Sequence, residues 1–411
     1  MKKRVWMMNH YAGRMYHSRG GRHYNFAKYL KRAGYEPVVF CANSKHGPAE
    51  IFFPDGALWH EHMAEEIRTP FVFVKARTYT GNGKQRVLNM MDFYRNVKKA
   101  AKEYAARHGN PDVIYASSVH PLTLVAGIQL AKKFDVKCVC EVRDLWPESL
   151  VCYGSLTRNS LAARALYAGE RLIYKKAGAV VFTMEGAYDY IRERGWEKAV
   201  PQSKVHYINN GVDLEAFQYN RDHYQVEDSD LDDPDTFKVI YTGSIRRANH
   251  IENILNAAGM LQREADICFL IYGDGDERAA LEKNCPANVM FKGFVDKKYV
   301  PYILSKGSVN LWSFVESGLL KYGVSPNKLF EYLASGRPTV GTGRAAYNPL
   351  LRWRAGIEAA DSSPESIRDA VLAVYRMSGE DRSLMGERAW EAAEEYDFKR
   401  LTERLVEIVG G

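Results

Sequence analysis

The sequence reads Lys238-Val239-Ile240-Tyr241-Thr242-Gly243-Ser244 shortly after its midpoint, and a segment with the apolar period of a helix follows at about 250–262. A short apolar run that ends at a glycine and leads into a helix is typical of the strand–loop–helix unit of parallel α/β sheets. The same unit repeats along both halves of the 411-residue chain. We therefore expect two α/β domains, each with a parallel sheet.

The predicted strands are short apolar runs, most of them separated by helical segments. In the first half they are 4–8, 37–42, 71–75, 113–116, 137–142 and 179–183. In the second half they are 238–242, 267–272, 289–292, 309–313 and 339–340, with helices near 250–262, 276–284, 297–305 and 326–335. An acidic run with a proline at 227–235 interrupts the pattern and indicates a linker or an exposed loop.

Composition excludes several classes of protein. With 46% apolar residues the chain can bury two cores, yet no stretch approaches the ~20 apolar residues of a membrane span. Six cysteines without a Cys-x-x-Cys pair are too few for a disulfide scaffold, so we expect reduced thiols and a cytoplasmic protein. Residues 1–200 carry 32 Lys and Arg against 18 Asp and Glu, and the remainder carries 25 against 32. The basic half is expected to face an anionic substrate or surface.

The segment from Gly323 to Pro338 has the marks of a short, well-delimited helix. Ser325 is placed to cap its start, Pro326 suits its first position, and Gly336 would end it. The unpaired N–H groups at such a helix start attract anions. The sequence therefore predicts an anion site at this position.

Three polar residues follow within this helix. Lys328 adds a full positive charge in the first turn, next to Asn327. Glu331 lies one turn beyond Asn327, where its carboxylate could accept hydrogen bonds from the vicinal hydroxyls of a ribose. This spacing favours a nucleotide as the ligand.

Two other loops in the second half suit a nucleotide. The loop after Gly243 carries the adjacent Arg246 and Arg247, whose guanidinium groups could pair with phosphate oxygens. The strand at 267–272 ends in Gly273-Asp274-Gly275, where two glycines would allow a ligand or another backbone to approach closely.

Together these segments resemble the retaining nucleotide-sugar glycosyltransferases of the GT-B fold, in the large family (glycosyltransferase family 4-like) that includes bacterial capsule, O-antigen and mannosyl transferases. The marks extend along essentially the whole chain: Asn209-Asn210-Gly211-Val212-Asp213 with Phe217, Tyr241-Thr242-Gly243-Ser244, Gly273-Asp274-Gly275-Asp276, Asn288-Val289-Met290-Phe291-Lys292-Gly293-Phe294, and Ser325 to Pro338. The resemblance implies two Rossmann-like parallel-sheet domains that face each other across a cleft. We expect an acceptor domain at 1–210, a linker at 211–236, a nucleotide-sugar domain at 237–395, and a C-terminal helix at 396–411 that packs back toward the first domain.

The resemblance also implies roles for the site residues. Glu331 would hold the ribose, Lys328 and an arginine of the 246–247 pair would meet the diphosphate, and Gly20-Gly21 would lie close to the donor phosphates. The predicted nucleotide-sugar ligands are Gly20, Gly21, Gly243, Arg246, Arg247, Gly273, Gly275, Ser325, Asn327, Lys328 and Glu331.

Two positions depart from the family pattern. Family members commonly carry a second glutamate eight positions before Glu331, and this chain has Gly323 there. The loop after Gly243 also lacks an arginine directly after the glycine and the later lysine, so the choice between Arg246 and Arg247 stays open.

On the acceptor side, Ser117 to Pro121 and Glu141 to Ser149 each follow a predicted strand. A run with carboxylates, an arginine and a tryptophan immediately beyond an apolar strand is unusual for a mere connector. A similar Asp-Leu-Trp-Pro-Glu segment occurs in transferases that act on lipid-linked sugars. By this resemblance Asp144 and His120 are the catalytic candidates, at the acceptor and the transferring sugar respectively, and Arg143 and Trp146 are predicted to bind the acceptor.

The expected reaction moves a hexosyl or N-acetylhexosaminyl group from a nucleoside-diphosphate sugar, most readily a UDP-sugar, to a lipid-linked or saccharide acceptor with retention, in cell-surface polysaccharide biosynthesis. Cationic side chains would stabilise the leaving diphosphate, so neither a metal nor another cofactor is expected. Asp228-Ser229-Asp230 matches Asp-x-Asp, but it lies in the acidic run. Two alternatives stay open: a non-hydrolysing nucleotide-sugar epimerase, and a catalytically silent assembly subunit, which the missing carboxylate at Gly323 favours.

Two further classes are disfavoured, and a membrane partner is expected. No basic-aromatic motif for reading nucleic acid accompanies the charge, and Gly20-Gly21 does not form the Gly-x-Gly-x-x-Gly of a dinucleotide oxidoreductase. We expect peripheral contact of the first domain with the anionic cytoplasmic face of a membrane. At about 77–99, basic residues are interspersed with Tyr79, Met90, Met91, Phe93 and Tyr94, as an interfacial helix or loop would require.

Overall fold

The computed structural model describes residues 2–411 apart from 46–48, 55, 119, 265 and 315, and apart from the side chain at 248. The chain divides into two compact units. Unit 1 consists of Met1–Asn209 and Leu401–Gly411, and unit 2 consists of Asn210–Arg400.

Within the described part of unit 1, eight strands form one sheet: β1 (Arg4–Met8), β2 (Glu36–Ala42), β3 (Trp59–Ala64), β4 (Thr69–Val74), β5 (Val113–Ser117), β6 (Lys137–Val142), β7 (Ala179–Phe182) and β8 (Val205–Tyr207). Their order across the sheet is β3-β4-β2-β1-β5-β6-β7-β8. All neighbours are parallel except β3, which is antiparallel to β4. Strands β5 and β7 are buried along their whole length, as expected of parallel strands inside an α/β domain.

The helices of unit 1 connect these strands. They are α1 (Gly13–Ser18), α2 (Arg22–Arg32), α3 (Lys84–His108), α4 (Pro121–Phe134), α5 (Glu148–Cys152), α6 (Leu161–Lys176) and α7 (Ala187–Glu193). Helix α4 begins with a proline in its first turn, where the missing N–H costs no hydrogen bond.

Unit 2 is built around a second sheet. Over its described residues it has six strands, all parallel: β9 (Phe237–Thr242), β10 (Ile267–Tyr272), β11 (Val289–Gly293), β12 (Val309–Trp312), β13 (Thr339–Gly341) and β14 (Gly356–Glu358). Their order is β11-β10-β9-β12-β13-β14. The helices are α8 (Leu214–His223), α9 (Ser229–Asp232), α10 (Ile251–Met260), α11 (Arg278–Lys283), α12 (Val300–Lys306), α13 (Asn327–Ala334), α14 (Pro349–Arg352), α15 (Pro364–Tyr375) and α16 (Gly379–Glu395).

The last helix, α17 (Phe398–Gly410), begins at the end of unit 2, and most of it belongs to unit 1. Lysines of unit 1 donate to its carbonyl end: Lys3 Nζ to Gly410 O at 3.0 Å, and Lys137 Nζ to Ile408 O at 2.8 Å. These bonds satisfy carbonyl groups that a helix end leaves without a partner of its own.

The acidic run forms part of unit 2 and is not a solvated linker. Lys292 Nζ lies 2.6 Å from both Asp228 Oδ1 and Asp230 Oδ2, and Leu231, which follows Asp230, is fully buried. Elsewhere in the predicted linker, Leu214 of α8 also joins the apolar core of unit 2. The sequence did not indicate this packing because the partner, Lys292, lies on β11, far from the acidic run along the chain.

Candidate functional site

The loops after β9 and β10 lie against each other at the carboxyl end of the second sheet. Gly243 N donates to Tyr272 O at 2.8 Å, and Ile245 N donates to Asp274 O at 2.9 Å. A Cβ at Gly273 would lie 1.7 Å from Gly243 O, and the φ of Gly273 is +148°. Only glycine fits this contact. The close approach predicted at Gly273 is therefore that of another backbone segment, the loop after β9. Gly275 packs in the same way against the backbone of Ile245.

Lys328, in the first turn of α13, reaches the turn after β9. Its Nζ donates to Tyr241 Oη at 2.9 Å, and a Cβ at Gly243 would lie 1.9 Å from the same Nζ. Burial lowers the pKa of Lys328 to about 8, a shift that the Glu331 carboxylate partly opposes. At pH 7 the amine is therefore still mainly protonated, and it lies beside a backbone turn that carries no side chain.

Packing fixes the direction in which α13 presents its polar residues. Leu329, Phe330 and Leu333 are fully buried in the core of unit 2. Lys328 and Glu331 are only partly buried, and their spacing of three residues places them on one face of the helix.

Ser325 does not cap this helix, and that prediction is wrong. The helix begins at Asn327, and Pro326 occupies the capping position without a side-chain hydrogen bond. Asn210 engages Ser325 instead: its N–H donates to Ser325 Oγ at 3.2 Å, and its Nδ2 donates to Ser325 O at 2.7 Å. This partner is 115 residues away in the sequence, so no local pattern indicated it.

Tyr332 ties α13 to the end of β9. Its Oη donates to Thr242 O at 3.0 Å and accepts hydrogen bonds from Thr242 N and Thr242 Oγ1 at 3.2 and 3.3 Å. Tyr332 is fully buried. Sequence reasoning missed this residue, although its position between Glu331 and the apolar face of the predicted helix was a usable signal. The bonds hold Lys328 in register with Gly243.

Glu331 has a cationic partner that sequence reasoning also missed. Lys297 Nζ lies 3.0 Å from Glu331 Oε1, and the Glu331 side chain is 21% exposed. The carboxylate raises the pKa of Lys297. Lys297 comes from the loop after β11, so this loop and α13 meet at the predicted ribose ligand.

The remaining predicted ligands in unit 2 are exposed. Arg246 and Arg247 follow Gly243 in the loop, and neither forms an ion pair within the described residues. Asn327 is exposed at the start of α13. These side chains remain accessible to a ligand.

Gly20 and Gly21 precede α2 in unit 1, whereas the other predicted nucleotide-sugar ligands belong to unit 2. Gly21 occupies the capping position of α2 with φ +94°, and it offers no side chain to the first N–H groups of the helix. The predicted proximity of these glycines to the donor phosphates therefore stays a prediction.

His120 is buried next to a second histidine. Its Nε2 lies 2.9 Å from His10 Nδ1, and its Nδ1 has no hydrogen-bond partner among the residues that the structure describes. Burial, together with the positive charge of Arg86, lowers the pKa of His120 to about 3. The imidazole is therefore neutral at physiological pH and suited to hydrogen bonding with an uncharged group.

Glu141 begins the acceptor-side run that was predicted to follow a strand, but it lies within β6 as a buried structural group. Arg22 Nε lies 2.6 Å from Glu141 Oε1, and the two side chains are 1% and 0% exposed. Ser117 Oγ, at 2.6 Å, and the Tyr115 hydroxyl also donate to this carboxylate. Burial alone would raise the pKa of Glu141, but Arg22 and His23 hold it well below its ordinary value.

Asp144 and Trp146 line a cavity of about 190 Å³ in unit 1, together with Ser118 and apolar residues of α4 and α6. We call this space the α4–α6 cavity. Asp144 is exposed as a residue, yet the protein that surrounds its carboxyl group shields this group from water and so raises its pKa. The positive charges of Arg143 and Arg86 oppose this shift. Arg143 does not line the cavity, and its backbone N–H donates to Ser118 Oγ at 3.0 Å.

The segment predicted to contact a membrane is packed into unit 1. Tyr79 is buried ahead of α3, and Met90 and Phe93 are buried on the face of α3 that packs into the core. These three residues cannot form an interfacial surface, and the prediction is wrong for them, whereas Met91 and Tyr94 are partly exposed. In the described part of the chain, no helix combines the length and the apolar character needed to cross a bilayer. Likewise, no three His, Cys, Asp or Glu residues among those described are grouped so as to hold a metal ion.

Two family models match the chain. Residues 20–211 match the glycosyl transferase 4-like domain, and residues 236–377 match the glycosyl transferases group 1 domain. The chain is 28% identical to TuaH of Bacillus subtilis, named for teichuronic acid biosynthesis. This match extends over 210 residues and covers 50% of each chain. It is 31% identical over 186 residues to WcaI of Escherichia coli, named for colanic acid biosynthesis, covering 43% of this chain and 45% of WcaI. The chain thus spans about half the length of these curated relatives.

A longer match joins the chain to the glycosyltransferase WbjE of Pseudomonas aeruginosa, 25% identical over 319 residues and 74% of each chain. Among solved structures, sucrose-phosphate synthase of Thermosynechococcus elongatus matches with a TM-score of 0.73 at 16% identity, over 99% of this chain and 98% of that one. HepE of Anabaena, solved with UDP-glucose, matches with a TM-score of 0.61 at 13% identity, over 99% of both chains. The predicted GT-B fold class is confirmed. The chain therefore has the GT-B fold, and its two halves match, in order, the glycosyl transferase 4-like domain and the glycosyl transferases group 1 domain.

Proposed function

We propose that the chain transfers a hexosyl or N-acetylhexosaminyl group from a UDP-sugar to a lipid-linked or saccharide acceptor, with retention, in cell-surface polysaccharide biosynthesis. The observation that carries this proposal is the protonated Lys328 amine beside the bare turn at Gly243. The names of TuaH and WcaI support the biosynthetic setting, and UDP-glucose in HepE supports the donor.

The basic groups of unit 2 suit the leaving diphosphate. As the bond to the anomeric carbon breaks, negative charge accumulates on the phosphate oxygens, and fixed cations there stabilise the transition state. Lys328 supplies one charge, Arg246 or Arg247 supplies another, and the uncapped N–H groups of α13 can donate hydrogen bonds. We propose that these groups act without a metal ion.

Glu331 suits the ribose. A carboxylate accepts hydrogen bonds from two vicinal hydroxyls, and the ion pair with Lys297 at 3.0 Å keeps one of its oxygens in place. In the proposed complex Lys297 orients the carboxylate and Glu331 contacts the sugar of the nucleotide.

At the acceptor end we propose that Asp144 orients the attacking hydroxyl and that the neutral His120 binds a hydroxyl of the transferring sugar. The new glycosidic bond forms on the face from which the diphosphate departs, and the leaving phosphate takes the proton of the acceptor hydroxyl.

The test is an assay of the purified chain with a panel of UDP-sugars, with and without bacterial lipid-linked and oligosaccharide acceptors. We expect acceptor-dependent release of UDP and a glycosylated product with the anomeric configuration of the donor. Interconversion of a UDP-sugar without acceptor would instead identify an epimerase. Absence of turnover together with tight UDP binding would favour the silent assembly subunit.

A further inference from the structure

The ammonium group of Lys328 reaches across the end of the second sheet to a residue on the opposite face. Along β9, Ile240 joins the apolar core into which α13 packs, whereas Tyr241 belongs to the cluster on the other face, because successive side chains of a strand alternate. Lys328 nevertheless donates to Tyr241 Oη at 2.9 Å. Its path crosses Gly243, where a Cβ would lie 1.9 Å from Nζ. The bare turn therefore lets a cation of α13 meet a hydroxyl of the other face.

The Tyr241 hydroxyl is oriented to accept the hydrogen bond from Lys328. A phenol has a single O–H, and Tyr241 donates it to Ser244 O at 2.9 Å. The oxygen therefore turns a lone pair toward the ammonium group. Tyr241 is fully buried, and the centroid of its ring lies 4.7 Å from Lys328 Nζ. Packing of the ring thus fixes the position of the oxygen.

The same network closes the turn that carries the arginine pair. Asn249 Nδ2 donates to Ser244 O at 2.5 Å and to Ser244 Oγ at 2.9 Å. Asn249 O accepts from Ser313 Oγ, just after β12. The arginines at 246–247 lie between the two residues that Asn249 Nδ2 joins. Because Ser244 O accepts from both Tyr241 and Asn249, the two cation-bearing segments share one hydrogen-bond network.

We propose that Tyr241 is a positioning residue for the leaving diphosphate: its hydroxyl holds the Lys328 ammonium over the turn at Gly243, in the network that also closes the arginine turn. An ammonium group has three N–H donors, and Tyr241 takes one of them. The others are left for phosphate oxygens. This assignment deepens the proposed function and rests on it for the identity of the ligand.

Loss of the hydroxyl should make the Lys328 amine easier to deprotonate. Burial already lowers the pKa of Lys328 to about 8, and a hydrogen bond to the charged form favours that form. Tyr241→Phe keeps the ring and removes the oxygen, so the pKa should fall further, by about one unit. The charge that opposes the effect of burial is that of Glu331 on the same helix, which pairs with Lys297. Both residues are unchanged in the variant.

The experiment compares the UDP affinities of the wild type and Tyr241→Phe by calorimetry from pH 6 to pH 8.5. Taking the ratio of the two affinities cancels the titration of UDP itself. We expect the wild type to bind at most about twofold more tightly at pH 6 and about fivefold more tightly at pH 8, where the variant has lost most of its Lys328 charge. Asn249→Ala should instead weaken UDP by the same factor at every pH, because it acts through arginines, which stay charged.

Two further variants separate a positioning role from a structural one. In the Lys328→Met background, Tyr241→Phe should weaken UDP less than about twofold, because the hydroxyl has no ammonium group to hold. Tyr272→Phe is the matched control: this buried tyrosine at the end of β10 donates to Asp228 Oδ2 at 2.8 Å. Its substitution should leave the UDP affinity unchanged at every pH. Unfolding temperatures measured in parallel show that each variant is folded.

A ratio of wild-type to Tyr241→Phe affinities that is constant from pH 6 to pH 8.5, or an equal loss in the Lys328→Met background, would overturn the proposal. Either result would mean that Tyr241 acts through the fold or through the arginine turn alone. A loss of UDP affinity in Lys328→Met with none in Tyr241→Phe would overturn the role of the hydroxyl and leave the diphosphate site standing. No loss in Lys328→Met would contradict both. The two failures are therefore distinguishable.

Discussion

The ammonium group of Lys328 lies against the backbone of Gly243, where any side chain would begin 1.9 Å from Nζ. These residues meet because Tyr332 joins α13 to Thr242 at the end of β9. The position of the cation is therefore set by buried packing rather than by a flexible surface chain. This arrangement makes Lys328 and Glu331 separable in experiments, since each is assigned a different part of the donor.

Glu331→Gln should weaken UDP binding about tenfold and leave pyrophosphate binding unchanged. Only UDP carries a ribose, and Glu331 is proposed to accept hydrogen bonds from the ribose hydroxyls. Lys297→Met should weaken UDP less than Glu331→Gln does, since Lys297 acts through the carboxylate. Calorimetric titration with both ligands measures this difference. Equal losses for UDP and pyrophosphate in Glu331→Gln would place the carboxylate away from the ribose.

UDP affinity should fall about twofold between pH 7 and 8 and more steeply above pH 8. Burial lowers the pKa of Lys328 to about 8, so the free protein loses this positive charge as the pH rises through that value, and the diphosphate binds the protonated form. The fall is at most about tenfold per pH unit. Lys328→Met should bind UDP weakly at every pH between 7 and 9.5. A wild-type profile parallel to that of Lys328→Met would show that another group controls the titration.

Much of the fold could be predicted because parallel strands are short apolar runs with helices between them. Strands β1, β6 and β10 have the predicted bounds. Strand β3 was missed because its Trp-His-Glu-His-Met-Ala sequence is half exposed at an antiparallel edge. Strand β8 was missed because it is only three residues long, too short to show a period.

Arg22→Met should cost about 3–5 kcal/mol of unfolding free energy, because it leaves the Glu141 carboxylate buried without its cation. The cost should shrink toward pH 4, where Glu141 in the variant can take up a proton. Arg77→Met is the matched control: it breaks a partly exposed pair with Asp92 and should lower the unfolding free energy far less than Arg22→Met does. Chemical unfolding of both variants gives the comparison, and similar small costs would show that the buried pair is not a stabilising contact.

Turnover should survive EDTA, because Lys328, the arginine pair and the start of α13 are proposed to carry the charge of the diphosphate. The assay compares initial rates in excess chelator with rates after Mg²⁺ or Mn²⁺ is added. Complete loss of activity in EDTA, restored by either ion, would mean that a metal stabilises the leaving group.

The site was predictable where one short segment holds several polar residues, and not where distant segments meet. Lys328 and Glu331 stand three apart on one helix, so the sequence alone placed them together. Ser325 is bonded by Asn210, and Glu331 pairs with Lys297; both partners lie in other segments of the chain. Glu141 was misjudged for the same reason, since Arg22, its cation, lies 119 residues away.

The most direct measurement of the central claim is the affinity of UDP for the wild type and for Lys328→Met at pH 7. We predict a loss of about 10- to 100-fold, the usual value of a charge-assisted hydrogen bond, with the unfolding temperature unchanged or higher because a partly buried charge is removed. Arg337→Met is the control, because this exposed arginine follows α13 and its Nε donates to Ser305 O, away from Gly243. Equal UDP affinity in the wild type and Lys328→Met would contradict the assignment of the turn at Gly243 as the diphosphate site.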